Sequence, residues 1–460
     1  MPMLTVAAVI AALFFFVLLG LKARHNAGLD DYLTARRSQG GTALGLSFLA
    51  SGMGAWILFA PPEVGAFVGP VAVAGYAVGA ALPFLILGLV GPVIRRRLPE
   101  GRSLTEYTAD RFGAGFRHWI ALLSVLYMLC FLAAELTAIG AITQLLSGVD
   151  GGFVIVAVAL STLVYTAIGG LRASLITDRW QAWLLMALIA LVAYAVLGRA
   201  PEASGTPSVE SLPDPGIGSA LAVALTLVIA ITTANLFHQG YWQRVWAARD
   251  DRSLRRGAAI GGLSTVIVVT ILGGAGVLAA MQGLDLGNPP IPFFALIGES
   301  PAWITLPALV LAITLVASSV DTLQNALVSL GITESGRLSV PGARWLSALL
   351  MVPVIGVALQ EISVLRLFLI ADLLCATAVV PLLSGLSRRV PTRAAIWGAL
   401  AGLPGAILPG VIATGSVSGG LLAATFPDAT PTLGPFLGAL LTSTLVTWLL
   451  TRLAPIRPAG

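Results

Sequence analysis

The feature that most restricts this chain is a succession of continuous apolar runs, most of them about 18 to 25 residues long, the length a helix needs to cross roughly 30 Å of hydrocarbon. Thirteen occur, near residues 2–21, 42–66, 70–94, 118–146, 152–168, 175–198, 217–239, 258–281, 302–330, 344–360, 364–386, 393–412 and 433–451. In lipid every backbone N–H and C=O needs an internal partner, so runs of this length fold as helices. A transmembrane barrel would instead show alternating ten-residue strands. With 57% apolar and 10% charged residues the chain lies outside the range of water-soluble domains. Its 51 Gly and 27 Pro are dispersed through the apolar runs, as in packed membrane helices, and do not form low-complexity tracts. The expected fold class is an all-α integral membrane protein with about 13 transmembrane helices.

The charges give an orientation. The net charge of +5 comes from cations clustered between apolar runs, which is a topology signal and not a nucleic-acid surface. The first run has no cationic segment before it and is followed by Lys22 and Arg24, so it reads as an uncleaved helix with its N-terminus outside. From that start, 24 of the 26 Lys and Arg fall in cytoplasmic connections or the C-terminal tail; Arg199 falls outside and Arg366 lies near an outer helix end. The expectation is a multi-pass protein of the cell's inner membrane with a cytoplasmic C-terminus. No connection is long enough for a soluble partner domain, and no GxxxxGK[ST] motif occurs, so transport by this chain would draw on a gradient. No nucleophile–base pair or metal cluster can be assembled, so no enzymatic activity is expected. Cys130 and Cys375 both lie in apolar runs and read as packing residues. Ser103 and Glu106 form a capping box opening a short surface helix to Phe112, and Gly41/Gly45 and Gly75/Gly79 have the spacing for close helix approach.

Polar groups inside the runs carry the functional signal, since an ionisable side chain at a span's centre costs about 2.5–3.5 kcal/mol on insertion scales. In the ninth run Thr314, Ser318, Asp321, Thr322, Asn325 and Ser329 recur every three or four residues, which places them on one helix face. Hydroxyl and carboxylate oxygens in a stripe suit a dehydrated alkali cation. In the second run Ser51-Gly52-Met53-Gly54, followed by Pro61-Pro62, marks a place where the helix can break and expose carbonyl oxygens. Glu63, Glu135, Asp178, His238, Gln239 and Asp372 complete the set; Asp372 is placed to answer Arg366, and His238 reads more readily as packing than as a titrating group.

Several short blocks, in order, make a further pattern: Asp31-Tyr32-Leu33-Thr34-Ala35-Arg36-Arg37, Leu104-Thr105-Glu106-Tyr107 with Arg111-Phe112-Gly113, Gly169-Gly170-Leu171-Arg172-Ala173 with Thr177-Asp178 and Gln181, and His238-Gln239-Gly240-Tyr241-Trp242-Gln243-Arg244 with Ala247-Ala248-Arg249. On these the chain resembles the solute:sodium symporter family over nearly its whole length. The resemblance implies the leucine-transporter fold: a leading helix (residues 1–24), two inverted five-helix repeats (40–200 and 215–390), and two further helices with a short tail (391–460). It implies a first sodium site at Ala50, Met53, Leu315, Ser318 and Ser319, and a second site for sodium or a proton at Asp178, Ser318, Asp321 and Thr322.

The expected function is sodium-coupled symport of a small polar organic solute by alternating access. The alternatives are a proton-coupled symporter of the same fold or a solute sensor that does not transport. Gly52 stands where the family's proline carriers have Asp, which argues against proline, and the segment Trp56 to Gly65 is unlike the sugar carriers. A solute pocket is expected between broken helices, lined by Trp56, Asn235, His238 and Glu135. With no Arg expected there, a neutral or cationic solute such as urea or an amine fits better than a carboxylate.

Overall fold

The computed structural model describes residues 34–50, 54–199, 216–335, 339–387 and 389–454, together with Ala7, Ile10, Ala11 and Phe14; of Ala55, 165–182, Val340 and Ala343 it describes the backbone alone. The leading helix therefore lies almost wholly outside the described residues. The rest is helical: α1 Gly41–Ala50, α2 Ala55–Val68, α3 Pro70–Arg97, α4 Leu104–Phe112, α5 Ala114–Ser147, α6 Gly151–Arg199, α7 Gly216–Asn235, α8 Gln239–Ala247, α9 Asp251–Met281, α10 Pro292–Ala295, α11 Ala302–Ser335, α12 Val340–Ala358, α13 Val364–Ala376, α14 Val379–Ser384, α15 Thr392–Thr414, α16 Val417–Ala423 and α17 Leu433–Arg452. Among the described residues seven of these, α3, α5, α7, α9, α11, α15 and α17, are long and apolar enough to span a bilayer.

The apolar surface is turned outward. Leu89, Leu349, Ile412 and Leu441 are each at least 64% exposed, as lipid-facing side chains must be, while the polar side chains of α11 are buried. Over their membrane windows α5 and α11 are each 72% enclosed and α17 only 28%, so the first two form the centre and the last lies at the periphery.

Three spans are interrupted. α1 is described as far as Ala50 and α2 starts at Ala55, with Gly54 ahead of it in extended backbone; residues 51–53 lie outside the described residues. α7 stops at Asn235 and α8 starts at Gln239, and α13 gives way to α14 around Thr377 and Ala378. Pro61 and Pro62 sit inside α2 without breaking it. One difference from the sequence expectation concerns α6, a continuous helical stretch of 49 residues where two spans joined near Gly169–Arg172 were expected. Leu171, Arg172, Ala173 and Leu175 are strong helix formers, enough to carry the backbone through two glycines.

The Gly spacings work as close contacts. A Cβ on Gly79 would press on the Leu227 carbonyl of α7, and one on Gly45 on Ile260 of α9. At the arginine-rich end the capping box forms, with Ser103 Oγ accepting from the Glu106 N–H at 3.2 Å. There Arg117 pairs with Glu334 at 3.0 Å and Arg96 with Asp251 at 2.7 Å, so part of the cationic cluster is locked into the fold.

Candidate functional site

The interruption between α1 and α2 supplies unpaired backbone. Gly54 is in extended backbone, and the first N–H groups of α2 that follow it have no partner within the helix. Against Gly54 lies Ser319 of α11. Its polar stripe is enclosed: Thr314 is 7% exposed, Ser318 2%, Ser319 1%, Asp321 3%, Thr322 1%, Asn325 6% and Ser329 0%. Ser318 thus faces protein and not lipid. Leu315, one turn before, is 1% exposed.

A third element closes this corner. Glu135 of α5 is fully buried, and its Oε1 accepts a hydrogen bond from Ser319 Oγ at 2.8 Å. The carboxylate rests so close to the Gly54 backbone that a methyl group there would overlap both its oxygens and the Ser319 Cβ. The structure therefore brings together Gly54, Ser319 and Glu135, with Ser318 beside Ser319 and Leu315 one turn before it on α11. Lower on α11, the Thr322 hydroxyl donates weakly to Asp321 Oδ1 at 3.4 Å. Met53 and the Asp178 side chain lie outside the described residues.

The chemistry of this donor set suits a hard cation. Hydroxyl, carbonyl and carboxylate oxygens are the ligands such ions prefer, and a Ser hydroxyl that gives its proton to Glu135 keeps its lone pairs for an ion.

The solute-side residues form an aromatic chamber beside this corner. His238, 1% exposed, stacks on Tyr241 at 4.4 Å and meets Tyr127 and Phe131 edge-on at 6.0 and 6.1 Å; its Nδ1 has no hydrogen-bond partner. Asn235 ends α7, donates to the Ile231 carbonyl at 2.8 Å and accepts from the Tyr127 hydroxyl at 3.5 Å. Trp56, two residues beyond Gly54, stacks on Tyr76 of α3 with centroids 5.9 Å apart and planes 10° from parallel. Asn235 and His238 thus share Tyr127 as a neighbour, Trp56 stands in its own stack on Tyr76, and the Glu135 carboxylate is held by Ser319.

Two sequence readings are corrected. Asp372 does not pair with Arg366, whose Nε donates instead to the Thr425 carbonyl at 3.0 Å; Asp372 is 7% exposed and has no hydrogen-bond partner among the described residues. Arg244, counted with the connecting-loop cations, is fully buried: its Nε donates to Ser47 Oγ at 2.7 Å and its Nη1 to the Gly240 carbonyl at 2.8 Å. α8 turns inward after the break and carries this arginine beneath the chamber. A basic residue so close after His238-Gln239 was the available signal. Tyr76 and Tyr127 were also missed, although two tyrosines far from span ends are poorly placed as interface anchors.

Broken helices enclosing buried oxygen donors and an aromatic chamber at mid-span define a secondary transporter. A model of the sodium:solute symporter family matches residues 32–283. The chain is 31% identical over 367 residues to the spermidine transporter DUR31 of Candida albicans, an alignment covering 78% of this chain and 70% of that protein. It is 26% identical over 350 residues to the uncharacterized symporter YwcA of Bacillus subtilis, covering 67% of each. Among solved structures, the substrate-bound outward-open state of a Na+-coupled sialic acid symporter matches with a TM-score of 0.70 at 17% identity, over 97% of this chain and 98% of that one. The nucleobase-cation-symport-1 family transporter Mhp1, closed with bromovinylhydantoin bound, matches at 0.58 and 15% identity, over 91% and 93%. The chain belongs to the sodium:solute symporter family and has the leucine-transporter fold. It is a multi-pass membrane transporter for a small solute.

Proposed function

We propose that the protein couples inward sodium movement to uptake of a small organic cation across the cytoplasmic membrane, with its N-terminus outside and C-terminus inside. The observation that carries this reading is the balance of enclosed charge. Among the described residues the buried charged side chains are four acids, Glu63, Glu135, Asp321 and Asp372, against one base, Arg244. Each uncompensated charge in a span costs about 2.5–3.5 kcal/mol, so such an interior is completed by cations. Sodium binds at Ala50, Met53, Leu315, Ser318 and Ser319, with Asp178, Ser318, Asp321 and Thr322 as a second position for sodium or a proton. The solute binds among Trp56, Asn235 and His238. The two repeats, 40–200 and 215–390, rock around the occupied site to expose it to one side and then the other.

The coupling ion is supported by the family and by the Na+-coupled sialic acid symporter of like fold; an amine as solute is supported by the relative that carries spermidine. The test is uptake of labelled spermidine into proteoliposomes. An inward sodium gradient should raise the initial rate several-fold over equal sodium on both sides. Equal rates in the two conditions overturn sodium coupling, and uptake that follows a pH gradient in sodium-free medium assigns the coupling to a proton.

A further inference from the structure

We propose that the solute site takes a linear diamine or polyamine held at two points, one ammonium group on Asp372 and a second on Glu63, with Trp56 and Tyr76 flanking the chain between. The inference rests on the organic-cation reading above and specifies the shape and charge of that cation.

Asp372 lies on α13 and is 7% exposed, with no hydrogen-bond partner among the described residues. Glu63 lies on α2 and is 3% exposed. One of its oxygens, Oε1, accepts from Ser363 Oγ at 3.2 Å, and Oε2 has no partner. Ser363 is the N-cap of α13, so Glu63 sits at that helix's positive end. Both carboxylates are thus buried, and Glu63 Oε2 has no partner among the described residues, which leaves room for an ammonium group to pair with each.

Their spacing selects the cation. Asp372 follows Ser363, the partner of Glu63, by nine residues of α13, a rise of about 13 Å along the helix axis, so the two carboxylates stand at separate points along it. Trp56 precedes Glu63 by seven residues on α2, two turns along the same helix face, and stacks on Tyr76, so aromatic surface lies beside the Glu63 end of the site. A single ammonium group reaches one carboxylate and leaves the other buried and unpaired. A neutral solute leaves both unpaired. A flexible chain with an ammonium group at each end pairs both, and the intervening methylenes and charges pass along aromatic faces, which attract cations.

The experiment uses the full-length protein in proteoliposomes under an inward sodium gradient, with labelled spermidine uptake competed by putrescine, propylamine and urea. Spermidine should bind at least about tenfold more tightly than propylamine, the scale expected for one more buried charge pair. Asp372→Asn should abolish competition by every amine, and Glu63→Gln should compress the spermidine-to-propylamine preference by about tenfold. A sodium-evoked change in tryptophan fluorescence identifies variants that are folded. Wild-type protein that takes up spermidine and propylamine with equal affinity overturns the two-point site while leaving symport intact. So does a folded Glu63→Gln protein with unchanged preference. Competition by urea and by no amine overturns the cation reading itself, and the two-point site with it.

Discussion

At Gly54 a single hydrogen in place of a methyl group lets the Glu135 carboxylate touch the backbone of the broken helix and still receive the Ser319 hydroxyl at 2.8 Å. The carboxylate orients that hydroxyl and adds negative charge beside the proposed sodium ligands, the work that groups behind a metal's direct ligands do elsewhere. Glu135→Gln keeps an oxygen for Ser319 and removes the charge, so it separates the two roles. Binding of radioactive sodium to the purified protein should weaken about tenfold in this variant, a change of about 1.4 kcal/mol, and unchanged affinity would show that the hydrogen bond alone matters. How much of this corner was legible differs residue by residue. Ser318, Asp321 and Thr322 announce themselves, because oxygens every three or four residues in an apolar helix have few structural explanations. For Glu135 the sequence gives depth in its span but not direction, and only the packing of α5 on α11 turns it toward Ser319. Asp372 and Arg244 were misread for the same reason. An arginine six residues along from Asp372 seemed a sufficient partner, and a cation near a span end resembled a loop residue, but helix azimuth put each elsewhere.

The breaks show the same limit at the level of the element. Ser51-Gly52-Met53-Gly54 announces the interruption between α1 and α2, because two glycines and a serine weaken a helix on their own. Nothing comparable stands at Leu236-Phe237-His238, yet α7 ends there, and tertiary contacts hold the opening: the Trp242 indole N–H donates to the freed Leu236 carbonyl at 2.7 Å. The continuous α6 is the reverse case, a glycine pair that does not interrupt. α2, short and freed at one end, keeps its position by lying backbone to backbone on α9, where a Cβ on Gly276 would overlap the Pro62 carbonyl and one on Gly65 the Gly273 carbonyl. Gly276→Val therefore should push α2 away from α9, at about 1–3 kcal/mol for an overpacked contact. Its unfolding temperature in detergent should fall by several degrees, and spermidine affinity should fall with it, since α2 carries Trp56. Normal stability and transport in this variant would mean that α2 is positioned by something other than α9.

For the whole molecule the question is which end has to open. At the arginine-rich end, cytoplasmic in the proposed orientation, the chain leading into α1 is stitched to both of its neighbours. Gln39 pairs with the end of α8: its N–H donates to the Ala247 carbonyl at 2.9 Å and its carbonyl accepts from the Arg249 N–H at 2.8 Å. Arg37 N–H donates to the Trp246 carbonyl at 3.0 Å. On the other side the Arg36 guanidinium donates to the carbonyls of Pro99 at 2.7 Å and of Glu100 and Gly101 at 3.2 Å. α1 and α8, the two half-helices at this end, are thus clasped together across the proposed repeats, and solute could not leave past them while the clasp holds. Alternating access then requires its release, and any change that weakens it shifts the population toward the state open at this end. Arg36→Ala removes these hydrogen bonds together with the ion pair to Glu100 at 3.6 Å, and leaves the backbone pairing. Amide hydrogen exchange over residues 37–50 should accelerate about tenfold, the response to a shift of roughly 1.4 kcal/mol in the opening equilibrium. If sodium favours the clasped state, sodium affinity should fall in the same variant, and saturating sodium should restore much of the lost protection, because a ligand that shifts an equilibrium must bind one state more tightly than the other. Exchange that is unaltered by Arg36→Ala, or altered with no response to sodium, would place the gate away from this clasp.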